Sequence, residues 1–172
     1  VKYGGFYIGR YEAGIPEGDT SPSNKIGIPV SKKGAIVWSN INYTNSKASA
    51  ESMINNEYVQ TGLITGTAWD TVCHWIKSDD ELKDSRTYGN YYENNSGTKR
   101  TAGFNENWKV KNIYDLAGNV YEWTSEADSS GFIMRGGRYS LDGSAGPVSY
   151  RCSNYAYYAY VSVGFRPRLY IK

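Results

Sequence analysis

Little of this chain has a regular hydrophobic period, and that limits what it can fold into. Residues 65–76, TGTAWDTVCHWI, are the exception, with Thr65 or Thr67 placed to cap a helix. Their apolar residues recur at the i, i+3, i+4 and i+7 spacing of one helix face and are expected to face the core: Trp69, Val72, Cys73 and Ile76.

Elsewhere the patterns are weaker. Tyr3 to Glu12 alternates like a half-buried strand, and Ile36 to Trp38 leads into a helix. That helix spans Thr44 to Asn56, with Thr44 or Ser46 as N-cap and one face formed by Ala48, Ser52 and Met53.

Residues 15–33 and 79–108 are polar and rich in turn-forming residues, which predicts irregular loops, the second with a short strand. We therefore expect one α+β domain over residues 1–172, with two main helices, small antiparallel sheets and long irregular loops. The domain is expected to be the C-terminal module of a longer protein.

Tyrosine is the unusual component of the composition. The 172 residues include 17 Tyr but four Phe. Tyr, Ser, Asn and Gly together are typical of recognition surfaces, because Tyr gives rigid contact area with a polar tip. Half-exposed strand positions also favour Tyr, and composition leaves both interpretations open.

Charge and hydrophobicity exclude two classes of partner. The net charge is +2, and the basic residues are scattered, so we predict no nucleic-acid binding. No apolar run approaches the roughly 20 residues that span a bilayer, so we predict no membrane insertion.

The cysteines and the histidine do not indicate a catalytic or zinc site. Cys73 and Cys152 lie far apart in sequence and either pair or remain two buried thiols. Cys73 lies on the apolar helix face and is expected to be a buried small hydrophobe. His74, the single histidine, is expected to have a surface or structural role.

Three C-terminal motifs have physical interpretations of their own: NIYDLAGNVYEWT at 112–124, IMRGGRY at 133–139 and VGFRPRLYIK at 163–172. Gly118-Asn119 suits a tight turn with positive φ, and Gly136-Gly137 suits a close backbone approach or a bulge in a strand. We expect Trp123 to anchor the core and Phe165 to be the buried residue of a central strand.

In order and spacing the three motifs resemble those of the formylglycine-generating-enzyme or sulfatase-modifying-factor superfamily, a branch of the C-type-lectin-like fold. Its enzymes oxidise cysteine with two thiols that follow the RGG motif and hold copper. Leu141 and Pro147 stand near those positions here, and Cys152 resembles a non-catalytic third cysteine. The resemblance therefore implies a chain that is not an enzyme and requires no cofactor. It also implies a structural calcium ion held by Asn119, the Val120 carbonyl and Glu122.

The stretch from Arg138 to Tyr160 is similar to the variable region of proteins diversified by retroelements, which show that region as a ligand-binding face. We predict these ligand-binding residues: Arg138, Tyr139, Leu141, Ser149, Tyr150, Tyr155, Tyr157, Tyr158 and Tyr160. The alternative is ordinary strand packing, with Tyr155 and Tyr157 facing inward while Tyr158 and Tyr160 face outward.

The function expected from the sequence is non-enzymatic ligand binding or display. The ligand is expected to be a protein or glycan on a cell surface, and the chain to be part of a phage tail, prophage or bacterial surface protein, extracellular or on the virion. Any oligomer is expected to form through the parent protein. Two alternatives stay open: a divergent oxidoreductase of the formylglycine-generating type, and a structural assembly module whose tyrosines bury a subunit contact.

Overall fold

The computed structural model describes residues 5–78 and 81–172, in which short elements alternate with long irregular stretches. The helices are α1 (Tyr43–Glu51), α2 (Gly66–Ile76) and α3 (Tyr92–Asn95). The strands are β1 (Phe6–Ile8), β2 (Val59–Leu63), β3 (Lys109–Val110), β4 (Ile113–Tyr114), β5 (Tyr121–Asp128), β6 (Gly131–Arg135), β7 (Arg151–Asn154), β8 (Val163–Phe165) and β9 (Pro167–Ile171). The strand expected from Tyr3 thus covers only β1, and its first residues lie outside the described ranges.

The strands form three small sheets within the described residues. One has the order β1-β9-β2, one is the β3-β4 pair, and the largest has the order β7-β6-β5-β8. All pairs are antiparallel except β5 with β8, which is parallel. The expectation of purely antiparallel sheets was therefore wrong at this pair.

Helix α2 forms as its periodicity predicts. The Thr65 side chain caps it by accepting a hydrogen bond from the Ala68 N–H at 3.1 Å. Trp69, Val72, Cys73 and Ile76 are all buried. The indole N–H of Trp69 also donates to the Val148 carbonyl at 2.9 Å, so α2 is tied to the C-terminal third of the chain.

Helix α1 differs from its prediction in its start, in its buried face and in its end, which is at Glu51 rather than Asn56. It begins at Tyr43, and its N-cap is Asn42, whose side chain accepts from the Asn45 N–H at 2.9 Å. Its buried residues are Tyr43, Ser46, Ser49 and Ala50, whereas Ser52 is exposed. Tyr43 sets the rotation of α1 about its axis. Its ring stacks on Phe132, with the two centroids 3.6 Å apart, and meets the ring of Trp123 edge-on.

The described part of the predicted 79–108 loop contains short helices rather than a strand: α3 and 3₁₀ turns at Glu81–Lys83 and Glu106–Trp108. Asn90 makes the one strand-like contact there, an isolated bridge to Gly118. Buried Leu82, Tyr88, Tyr91 and Trp108 fasten the loop to the core. A loop with that many anchors can be long without being unstructured.

Large aromatic residues form the centre of the core. Trp38, Trp69, Trp123 and Phe165 are fully buried, and the Trp123 indole donates to the Ile41 carbonyl at 3.0 Å. Phe165 is buried as expected, but β8 is the last strand of its sheet and not a central one. Its outer edge is covered by the Ala13 N–H, which donates to the Phe165 carbonyl at 2.9 Å.

The glycine pairs allow segments distant in sequence to approach closely. Gly118 and Asn119 both have positive φ, as expected. Gly136 and Gly137 also have positive φ, but they follow β6 rather than forming a bulge within it. A Cβ on Gly137 would lie 2.0 Å from the carbonyl oxygen of Gly146, so no side chain fits there.

Gly34 and Gly137 provide a matched test of this close approach. Both have φ near +79°, but a Cβ on Gly34 meets no described atom within 4 Å. We expect Gly34→Ala to lower the free energy of unfolding by about 1 kcal/mol through backbone strain alone. Gly137→Ala should cost roughly 2 kcal/mol more because of the clash. Urea denaturation of both variants measures this, and equal losses would contradict the assigned contact.

Candidate functional site

An ion pair without solvent contact lies at the centre of the motif region. Arg166 and Glu122 have side-chain exposures of 0% and 1%, and the Arg166 Nη2 donates to Glu122 Oε1 at 2.7 Å. Arg166 also donates to the carbonyls of Gly9 and Tyr114, each at 2.8 Å. Burial and hydrogen bonding of this kind make the pair a structural element, because a lone buried charge is very costly.

Asn119 is the second polar anchor of the motif. Its Oδ1 accepts from Asn90 Nδ2 at 2.9 Å and from the Arg100 N–H at 3.0 Å, and its Nδ2 donates to Glu12 Oε2 at 2.5 Å. The N–H of Val120 donates to the other oxygen of Glu12 at 3.2 Å.

Two of the three predicted calcium ligands, Asn119 and Glu122, are already engaged within the chain. Calcium needs several free oxygen ligands, but Asn119 Oδ1 already accepts two hydrogen bonds and Glu122 is bound by the Arg166 guanidinium. Among the described residues, no group of three His, Cys, Asp or Glu side chains could hold a metal ion. Calcium binding stays a prediction from the family resemblance.

Three carboxylates share this interior with one guanidinium. Burial raises the pKa of Glu12 well above its ordinary value, and burial also raises the pKa values of Glu122 and Asp115, the last to about 6. Asp115 Oδ2 accepts from the Gly103 N–H at 2.6 Å, whereas its buried Oδ1 has no hydrogen-bond partner in the described chain. Arg166 alone cannot compensate all three negative charges.

This excess of buried acid predicts an unusual pH dependence of stability. A carboxyl whose folded pKa is raised binds its proton more tightly when folded, so the free energy of unfolding falls as pH rises through the window between the two pKa values. We expect stability to decline from about pH 4 to about pH 6, the folded pKa of Asp115, and Asp115→Asn to flatten this decline.

Chemical denaturation at half-unit pH steps measures the effect. Glu57→Gln, at an exposed position, is the control and should leave the slope unchanged. A slope that is the same in Asp115→Asn and in the unmodified chain would contradict the assignment.

The two thiols are separated and unactivated. Cys73 and Cys152 are both free in the described chain, and burial raises their pKa values to about 12 and about 11. They pack in different core clusters, Cys73 with Trp69 and Cys152 beside Tyr121. Leu141 is half-buried and Pro147 is buried. Because the described thiols are separated, they do not form a two-sulfur site. Their raised pKa values also leave them protonated near neutral pH, whereas the thiolate is the reactive and metal-binding form.

The tyrosine surface consists of Tyr155, Tyr157, Tyr158 and Tyr160. The exposed fractions of Tyr155, Tyr157 and Tyr160 are 61%, 74% and 44%, and Tyr158 is half-buried. The rings are stacked in pairs: Tyr155 on Tyr157 with centroids 5.5 Å apart, and Tyr158 on Tyr160 at 3.9 Å.

The backbone of this surface is irregular but attached to the core. Residues 155–160 follow β7 and contain a turn, with the Tyr158 N–H donating to the Tyr155 carbonyl at 3.0 Å. The N–H groups of Asn40 and Tyr43 donate to the carbonyls of Tyr160 and Ala156 at 2.7 and 3.1 Å. The strand-packing alternative was therefore wrong: residues 155–160 are not a strand, so the period-two rule does not apply, and Tyr155 and Tyr157 are exposed.

The other predicted binding residues are partly committed to the protein itself. Ser149 donates its hydroxyl to the Leu82 carbonyl at 2.7 Å, and Tyr150 stacks on Tyr121 at 5.9 Å. Tyr139, Leu141 and Arg138 are half-buried. The structure thus brings the tyrosine surface together after the end of β7, whereas Ser149 and Tyr150 are engaged in contacts within the protein.

Sequence reasoning missed several residues next to this surface. Tyr121 lies under Arg138, whose guanidinium carbon is 5.7 Å from the ring centroid. Lys99 donates to the Val161 carbonyl at 3.3 Å, and the Val161 side chain is exposed. Lys99 is 62 positions away from Val161, and no local pattern could have indicated that contact.

Few helices, small mixed sheets and long anchored loops make this an α+β fold, in agreement with the C-type-lectin-like type that the three motifs imply. Among solved structures, that of Treponema denticola variable protein 1 is similar to this chain, with a TM-score of 0.68 and 16% sequence identity. The match covers 95% of this chain and 84% of that one. The chain is also similar to the crystal structure of CarF, with a TM-score of 0.54 and 17% identity over 77% of this chain and 66% of that one. At these identities the likeness shows the fold alone.

No family model and no curated protein match the sequence. Among the described residues, no helix has the length and apolar character required to cross a membrane.

Exposed and half-buried tyrosines should differ in their contribution to stability. We expect Tyr157→Ala to change the free energy of unfolding by less than about 0.5 kcal/mol, because its side chain is mostly in solvent. Tyr150→Ala should cost roughly 1–2 kcal/mol, since this ring stacks on Tyr121 and packs against the core. Thermal and urea denaturation test both, and a large loss for Tyr157→Ala would support a packing role.

Proposed function

We propose that the chain is a non-enzymatic ligand-binding and display domain that presents the tyrosine surface to a protein or glycan on a cell surface. The observation that carries this proposal is the exposure of three large aromatic side chains within six residues, at 61%, 74% and 44%. Large exposed apolar patches mark sites of protein interaction or ligand binding, and these three rings lie together on one short segment.

The local structure favours binding without a large entropic cost. The segment is attached by backbone hydrogen bonds to Asn40 and Tyr43 at the start of α1. Its rings are stacked in two pairs, which limits the rotamers of each ring before any ligand arrives. Preorganised side chains lose less conformational entropy on association, so more of the contact energy contributes to affinity.

A non-catalytic role is supported by what stands at the family's catalytic positions. Leu141 and Pro147 supply no thiol, and the two described cysteines are separated, with raised pKa values. We place the domain in a non-catalytic branch of the sulfatase-modifying-factor type on the strength of the three motifs. The similarity in fold to a protein named a variable protein accords with this placement.

The proposed setting is a phage tail, prophage or bacterial surface protein, extracellular or on the virion. The domain is the recognition module of that parent protein, and any oligomer forms through the parent. Residues 138–160 are the segment that a diversifying retroelement would change, because Tyr, Ser and Asn are frequent products of adenine-directed substitution.

Sequencing the locus in independent isolates tests the proposal. We expect substitutions concentrated in the codons for residues 138–160 and directed at adenines, with a near-repeat of that segment beside a reverse transcriptase gene. The codons for residues 43–51 of α1 serve as the internal control and should show little change. Substitutions spread evenly over both segments would argue against a diversified binding face.

A further inference from the structure

Arg138 is the one charged residue among the predicted binding residues, and few of its hydrogen-bond donors have a partner within the described chain. The residue follows Gly137 and is half-buried, with its guanidinium carbon 5.7 Å from the centroid of the Tyr121 ring. Its Nη1 donates to the Ser162 hydroxyl at 3.3 Å, and its buried Nε has no hydrogen-bond partner in the described chain.

Arg138, like Arg168, has no carboxylate partner among the described residues, whereas several other arginines do. Arg166 is bound by Glu122, and Arg151 is paired with Glu126 at 2.6 Å. A half-buried guanidinium is normally compensated by an acid or by several acceptors. Arg138 has one long hydrogen bond and an aromatic face, so most of its donor capacity is unused.

The unused donors lie beside the tyrosine surface. Ser162, the hydrogen-bond partner of Arg138, follows Val161 and is two residues from Tyr160. The pKa of Tyr158 is raised chiefly by its hydrogen bond with Tyr160, and the charge of Arg138 partly lowers it, as expected for a cation close to that hydroxyl.

A second cation reaches the same segment. Lys99 is half-buried, and its Nζ donates to the Ser39 hydroxyl and, at 3.3 Å, to the Val161 carbonyl. Burial lowers the pKa of Lys99, an effect that the charge of Glu12 partly offsets, and no described carboxylate forms an ion pair with Lys99. Two cations therefore flank residues 160–162 without a matching acid.

We propose that the tyrosine surface binds an acidic side chain of a protein ligand, with its carboxylate received by the guanidinium of Arg138. This inference rests on the proposed function and names the chemistry of its ligand. The planar fork of an arginine matches two carboxylate oxygens, and the neighbouring phenol hydroxyls supply further donors. Arg138 is then the specificity-determining residue of the surface, and the tyrosines supply contact area.

The donor-rich chemistry disfavours a neutral sugar as the occupant. Sugar hydroxyls act as donors as well as acceptors, so sites for neutral sugars need acceptors of their own. Here the tyrosine hydroxyls both donate and accept, but the charged groups beside them, Arg138 and Lys99, are donors only and favour an anionic occupant. The combination of tyrosine and arginine is typical of the residues that dominate protein–protein binding energy.

A peptide-display selection tests the inference with the intact chain. Random dodecapeptides are selected on the unmodified chain, on Arg138→Gln and on Arg168→Gln. Arg168 is the matched control: it is also half-buried, lies 4.7 Å from the Tyr170 ring centroid and forms no described ion pair, but it is on β9. We expect Asp and Glu to be enriched on the unmodified chain and on Arg168→Gln, and to lose that enrichment on Arg138→Gln.

Affinities of a selected acidic peptide supply the quantitative readout. Binding should weaken at least about tenfold in Arg138→Gln, and likewise when the acid of the peptide is changed to its amide. Selected peptides that are neutral, or acidic peptides bound equally by Arg138→Gln, would overturn the inference. Retention of a glucuronate-bearing oligosaccharide, with no peptide selected, would replace the protein ligand with an acidic glycan.

The failure of the proposed function has a different signature. If Tyr155→Ala and Tyr157→Ala leave the affinity of every selected peptide and glycan unchanged, the tyrosine surface is not the binding face. If those variants abolish binding but Arg138→Gln does not, the binding face is correct and the role of Arg138 is wrong.

Discussion

Arg166 connects parts of the chain that are far apart in sequence. Its guanidinium is bound to Glu122 on β5 and to the carbonyls of Gly9 and Tyr114, so one side chain joins the N-terminal segment, the first motif and the start of the C-terminal strand. Because the pair is fully buried, removal of either partner would leave an uncompensated charge in the interior. Glu122 also takes part in the parallel pairing of β5 with β8, in which its partner in register is Gly164.

The same interior also holds more acid than base. Glu12 and Asp115 lie near the Arg166–Glu122 pair, and burial raises the pKa values of both. Glu12 nevertheless has a clear structural task, since it accepts from Asn119 and from the Val120 N–H. This polar centre orients the Gly118-Asn119 turn. The Gly118 N–H of that turn then donates a hydrogen bond to the Gly136 carbonyl. The segment after β6, which carries Arg138, therefore starts from a fixed point.

The tyrosine surface depends on that framework rather than on regular structure of its own. Residues 155–160, which carry this surface, form neither a helix nor a strand, and their positions come from hydrogen bonds to Asn40 and Tyr43. The side chains of Tyr155 and Tyr157 can change without disturbing the core, because they are exposed and stack on each other, whereas Ala156 and Tyr158 pack against the core. A rigid core with a replaceable surface segment is suited to recognition, since specificity can vary while the fold stays the same.

The sequence by itself determined the elements whose information is local. The period of residues 65–76 predicted α2 and its buried face, Gly118-Asn119 predicted a turn with positive φ, and Gly136-Gly137 predicted a close backbone approach. Tertiary structure alone decided the rotation of α1, which follows from the stacking of Tyr43 on Phe132, and the exposure of Tyr155 and Tyr157, which follows from an irregular backbone without a fixed period. Tertiary structure also decided that Glu122 binds Arg166 and that Arg138 lacks an acidic partner, because both outcomes depend on which charges the fold brings together. Glu122 and Arg166 are 44 residues apart, and a contact over that separation leaves no periodic trace in a single sequence.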